Sequence, residues 1–199
     1  MPRAGVSPDA IVRCAIAVIN ADGTAALTLA RVAEELGVSS PSLYKHVKGL
    51  DDLLDRVATA VTAELAAHLG TAIRGKAGRD ALTAIADAYR GFAREHPGTY
   101  PLTQRHSTSE GWNGAATDAL VSFVAALSGY GIEEDDIDVI RVVRSSLHGF
   151  VDLERLGGFG LPTPVDDSFD LVVDMLDAAL RTRRAHGTGN DQRETAGKD

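Results

Sequence analysis

Apolar residues return every three or four positions along most of the chain. No stretch of five or more residues alternates apolar and polar between turn signals. The pattern predicts an all-α protein. Ile11, Ala15, Val18 and Ile19 form a first stripe, with Ser7 as N-cap, Pro8 in the first turn and Gly23 as the stop. A second helix starts at Thr28, faces Val32, Ala33 and Leu36 inward and stops at Gly37. Ser39 and Pro41 open a third, short helix. A fourth begins near Gly49, with Asp51 and Asp52 at the positive end of its dipole. Its apolar face runs through Leu50, Leu53, Leu54, Val57, Val61, Leu65 and Leu69.

The second half repeats this design with longer elements. Leu82, Ile85, Tyr89 and Phe92 share a stripe that ends at His96-Pro97-Gly98. An irregular segment is expected from Thr99 to Glu110. Ala116, Leu120, Phe123, Val124 and Leu127 make the next stripe, closed at Gly129-Tyr130-Gly131. A long helix is expected from about Glu133 to Leu156, then a Gly/Pro-rich loop, then a last helix from about Ser168 to Arg184. Phe169, Val172, Val173, Leu176 and Leu180 line that helix, and its polar tail from Gly187 onward reads as disordered. The expected organisation is a head over 1–48, a helical body over 49–186 and a tail over 187–199.

Charge refines this division. The formal net charge is −8, yet residues 1–50 hold five Lys/Arg against four Asp/Glu. A nucleic-acid partner would therefore have to meet the first segment, because an acidic body repels phosphate. One cysteine, Cys14, excludes an internal disulfide framework and fits a reducing compartment. No run approaches the ~20 apolar residues of a membrane span, and the N-terminus lacks an apolar signal region, so a cytoplasmic protein is expected.

The densest polar chemistry lies in Gly37-Val-Ser-Ser-Pro-Ser-Leu-Tyr-Lys-His-Val47. Two short helices joined by Leu36-Gly37-Val38-Ser39-Ser40 have the form of a helix-turn-helix, with Gly37 supplying a positive φ at the turn. Hydroxyls and N–H groups at a helix start can hold phosphate oxygens, and Lys45 can reach phosphate or a guanine edge. Ser40 and Ser42 are short enough to let the helix approach a groove floor. Tyr44 and His46 can each donate to phosphate while their rings pack on the helix below. An exposed short helix with no nucleic-acid role would have the same composition.

The stretch TLARVAEELGVSSPSLYKHVKGLDDLL, Thr28 to Leu54, resembles the DNA-binding region of TetR-family transcriptional regulators. The matching parts are Thr28, Gly37-Val38-Ser39, Leu43-Tyr44-Lys45-His46-Val47 and the Leu-rich run from Leu50 to Leu54. The resemblance implies a three-helix DNA-binding head on a larger helical body that dimerises and binds a ligand. It implies DNA contacts from Thr28, Ser39, Ser40, Ser42, Tyr44, Lys45, His46 and Lys48. Leu147 to Phe159 is similar to the His-Gly-containing helix of one class of TetR C-terminal domain; the tryptophan typical of that class near the motif is absent, and the subclass stays open.

Expected partners are double-stranded operator DNA, a second copy of the chain and a small-molecule effector, with no membrane. Candidate effector contacts are Tyr89, Phe92, Trp112, Phe123, Arg144 and His148, the aromatic and polar residues available to line a cavity in the body. The expected dimer interface uses Leu147, Phe150 and Val151 with Phe169, Val172, Val173 and Leu176, as a four-helix bundle. No cofactor, metal or enzymatic activity is expected. Gly70 to Ala77 nearly spells a phosphate-binding loop, but it has Ala77 where Ser or Thr should hold magnesium. Glu133 to Asp138 reads as carboxylates at a helix start, and the histidines lack metal-ligand spacing.

Overall fold

A computed structural model describes residues 6–105, 107 and 109–195, the side chains of 186–195 excepted. Eight α-helices and no strand occur among these residues. They are α1 (Pro8–Asp22), α2 (Leu29–Glu35), α3 (Ser40–Leu43), α4 (Leu50–Ala72), α5 (Gly78–Glu95), α6 (Glu110–Leu127), α7 (Ile137–Arg155) and α8 (Asp166–Thr195). Short 3-10 turns lie at Thr24–Ala26, Tyr100–Gln104 and Ser128–Tyr130.

The chain divides into two compact units. The first comprises residues 1–67 and 92–119, the second residues 68–91 and 120–199. A boundary after Lys48 therefore falls inside the first unit. In that unit, Ile11, Ala15 and Ile19 of α1 are fully buried, as are Val32, Leu43, Leu53 and Val57. Leu50 lies on the expected apolar face of α4 but is 39% exposed, because it sits in the helix's first turn ahead of that core.

The first unit also takes in residues 96–105, which the sequence pattern left as a connection. A Cβ on Gly98 would stand 2.5 Å from the carbonyl oxygen of Ile19, so only glycine permits this backbone approach. The Thr99 hydroxyl donates to Asn20 Oδ1 at 3.2 Å beside it.

In the second unit, Leu82, Ile85, Tyr89, Phe123, Leu127, Leu147, Val151 and Phe169 are buried. Two helix limits differ from expectation. α7 opens at Ile137, because Asp136 folds back and its carboxylate accepts from the Glu133 N–H at 3.0 Å, making the acidic run a turn. α8 runs to Thr195, past the arginines expected to end it and into the segment expected to be disordered. Leu120, placed in the α6 stripe by periodicity, is 39% exposed.

Candidate nucleic-acid interface

Helix α2 begins where Thr28, in extended backbone, accepts from the Arg31 N–H at 3.1 Å. Such a cap contributes about 1 kcal/mol, and Thr28 itself is exposed. The helix ends in the way a Gly C′ position favours. Gly37 has φ +64, its N–H bonds to Glu34 O at 3.0 Å and the Val38 N–H to Ala33 O at 2.9 Å.

The chain then enters α3. Its α-helical core is only four residues, but Val47 N–H donates to Leu43 O at 2.9 Å and His46 N–H to the same oxygen at 2.8 Å, so the helical course continues through a further turn. Ser39 does not cap α3 through its side chain; its hydroxyl pairs instead with that of Ser42 at 3.0 Å.

Two apolar side chains seat this segment. Leu43 is fully buried and Val47 is 2% exposed. Everything else turns away from the core. Tyr44 is 60% exposed. Ser39, Lys45 and Lys48 are exposed, and Ser40, Ser42 and His46 are partly so. Lys45 and Lys48 form no ion pair among the described residues, leaving two ammonium groups available to an outside anion. Arg31, by contrast, is tied to Asp22 at 2.8 Å and to Glu35 at 3.4 Å, which raises its pKa through those hydrogen bonds.

The start of α4 is fixed against this segment. The Lys48 N–H donates to Asp52 Oδ2 at 2.9 Å, and Arg56 Nε donates to the same oxygen at 3.2 Å. Burial pushes the Asp52 carboxyl up, but these hydrogen bonds outweigh it and hold it below its ordinary range. Arg105 reaches back to the same turn, with Nε 2.7 Å from Asp55 Oδ1 and a second contact of 3.2 Å to Asp51. The acidic start of α4 was legible as a dipole feature; Arg105 was not, because its partners lie about 50 positions away.

The other expected sites come out differently. Tyr89, Phe92 and Phe123 are buried, at most 3% exposed; Tyr89 and Phe123 meet edge to face with centroids 6.0 Å apart. Phe92 stacks on His96 at 4.4 Å. Phe92 and Trp112 belong to the first unit, and Tyr89, Phe123, Arg144 and His148 to the second. Arg144 is exposed. His148 is half-buried, and burial pushes its pKa down.

The expected dimer residues Leu147, Val151, Phe169, Val173 and Leu176 are buried within the single chain, none more than 8% exposed, so they hold the unit itself together. Only Phe150 and Val172 of that set are partly open.

A profile described as "Bacterial regulatory proteins, tetR family" matches residues 11–57, the span that builds this surface. A second, "Tetracyclin repressor-like, C-terminal domain", matches 82–176. An HTH-type transcriptional regulator of Mycobacterium tuberculosis is 33% identical over 188 residues, covering 92% of this chain and 86% of the relative. The chain belongs to the TetR family of transcriptional regulators. Among TetR-family relatives, the Escherichia coli tetracycline repressor protein class A from transposon 1721 is 33% identical over 118 residues, covering 53% of this chain and 51% of that one. A TetR variant from Acinetobacter baumannii, solved in complex with minocycline, shares the fold with a TM-score of 0.68 at 23% identity, covering 90% of this chain and 98% of the other. As a TetR-family regulator the protein binds DNA through its helix-turn-helix. No helix among the described residues is long and apolar enough to cross a membrane.

Proposed function

We propose that the protein is a homodimeric repressor that grips a palindromic operator with two copies of α3 and releases it when a small molecule binds in the C-terminal part of the chain. The observation that carries the reading is the two-sided character of residues 39–48. Leu43 and Val47 anchor the segment, while the hydroxyls, Tyr44 and two unpaired lysines are presented outward.

A lone helix of this size reads few base pairs, so affinity requires a second head. In a twofold dimer the recognition helices lie about 34 Å apart, one turn of DNA. The proposed dimer face is the outward side of α7 and α8. A groove of about 480 Å³ lies there, lined by Phe150, Leu153, Phe159, Val172 and Met175. Leu153 is 51% and Met175 65% exposed, an apolar patch that association would cover.

The effector contacts are proposed in the second unit, at Tyr89, Phe123 and His148. Minocycline in the Acinetobacter structure supports an organic molecule as effector for this fold, without specifying the one used here.

Fluorescence anisotropy with duplexes from the gene's own upstream region tests the reading. Saturable binding to one duplex with dyad symmetry, reversed by members of a small-molecule screen, is expected. Equal affinity for all duplexes at every salt concentration would contradict it. Sedimentation should show a dimer that Met175→Glu dissociates.

A further inference from the structure

At the start of α5 the backbone meets the turn that follows α6 with no side chain between them. A Cβ on Gly129 would stand 2.5 Å from the Gly78 nitrogen and 2.9 Å from its Cα, and Gly78 itself has φ +55. Both positions are therefore restricted to glycine, and together they leave a bare backbone floor. A cleft of about 370 Å³ opens on it, walled by Arg79 from α5, Tyr130 from the turn, and Arg181 and Arg184 from α8. Among the described residues no carboxylate lines the cleft.

The cations are held from behind. Asp177, 6% exposed, accepts from the Tyr130 hydroxyl at 2.5 Å, from Arg181 Nε at 3.0 Å and from Arg79 Nη1 at 3.3 Å. Arg79 also pairs with Asp174, and Arg184 Nη1 donates to the Gly129 carbonyl at 2.7 Å. A guanidinium carries five N–H donors. Arg181 uses only Nε in these contacts, so both of its terminal nitrogens remain to a ligand.

Arg79, Arg181 and Arg184 bring three guanidinium groups to one cleft, with Asp174 and Asp177 behind the first two. Planar forks fixed by a buried carboxylate suit bidentate binding of a tetrahedral oxyanion. The first N–H groups of the 18-residue α5 lack intrahelical partners at the same place and add to that preference.

We propose that this cleft binds a phosphate group, either as the free ion or carried on a small molecule. The site lies within the second unit and is independent of the recognition helix. It joins the start of α5, the 128–130 turn and the stretch of α8 around Arg181 and Arg184, so occupancy stabilises that unit by linkage.

The test is calorimetric titration and thermal melting of the full chain with inorganic phosphate, pyrophosphate and glycerol 3-phosphate. Citrate and sodium chloride at matched ionic strength serve as comparisons. The phosphate compounds should bind and raise the melting temperature, and the chloride should not. A stronger response to glycerol 3-phosphate than to the free ion assigns a carried phosphate, and the reverse assigns the ion. Arg181→Gln and Arg184→Gln should each weaken binding tenfold or more, and Arg141→Gln, an exposed arginine of α7, should leave it unchanged. Both tested arginines are exposed, and melting without ligand verifies that the variants fold. Absence of binding to the intact chain, undiminished binding to the doubly substituted chain, or an equal shift from chloride would overturn the proposal. Citrate binding as tightly as the phosphates would overturn the assignment to phosphate.

Discussion

The recognition segment and the packing of α5 against α7 and α8 treat polar side chains in opposite ways. Residues 39–48 keep theirs outside, with Leu43 and Val47 alone as anchors. In the second unit, Arg90 is buried to 8% side-chain exposure. It donates to Glu154 through Nε at 2.9 Å and Nη2 at 2.6 Å and lies 2.8 Å from Asp166. Its guanidinium carbon also stands 4.5 Å from the centroid of Phe169. A guanidinium there must be paired because it has lost water, whereas the lysines of the head keep their water until an anion replaces it. The comparison separates charge used to specify packing from charge held ready for a partner.

The largest effect expected from breaking this contrast is at the anchor. Leu43→Ala should destabilise the first unit by about 2–5 kcal/mol, since a fully buried side chain leaves a cavity. It should also abolish operator binding, as seen by denaturant unfolding and anisotropy together. Next, Glu154→Ala should cost about 3 kcal/mol by stranding Arg90, less than a deeper pair because Asp166 remains as a partner. Replacing both Arg90 and Glu154 by Met and Leu should recover most of that loss. If the single and the double substitution cost the same, the pair is not what orders this packing.

Much of the fold was open to a reading of the sequence, and for physical reasons. α1 and α2 carry side-chain caps, and α1, α2 and α4 carry clear apolar faces, so their limits were legible. The head was legible because its signals are local: Thr28, Gly37 and the serines act within a few residues of themselves. The turn after α6 and the start of α7 were harder, since the carboxylates of 133–138 bind backbone within a turn instead of opening a helix. Faces were hardest to read. Periodicity put Leu147, Phe169 and Val173 on a stripe but could not say whether that stripe meets the same chain or another copy. Arg90, Arg105 and Asp177 were missed because their contacts with Glu154, Asp55 and Tyr130 span 64, 50 and 47 positions, which no local pattern signals.

Smaller effects sharpen the same contrast. Burial pushes the Asp177 carboxyl up, but hydrogen bonds from Tyr130 and Arg181 outweigh it and hold it below its ordinary range. Its contribution is therefore present above the unfolded carboxylate value, about 3.9, and is lost as pH falls through and below it. Urea unfolding at pH 5 and pH 3 should show a steeper loss for the intact chain than for Asp177→Asn. Thr28→Ala should cost about 1 kcal/mol through the lost cap of α2. Tyr44→Ala, at an exposed position, should change stability by less than about 0.5 kcal/mol while weakening operator binding.

The measurement that bears most directly on the recognition surface is the salt dependence of operator binding by the intact chain and by Lys45→Ala and Lys48→Ala. If these unpaired ammonium groups meet phosphates, each substitution should lower the slope of log affinity against log salt by about one unit per head, with folding unchanged. An identical slope in all three proteins would mean that residues 39–48 do not enter the DNA, and the assignment of that surface would fail.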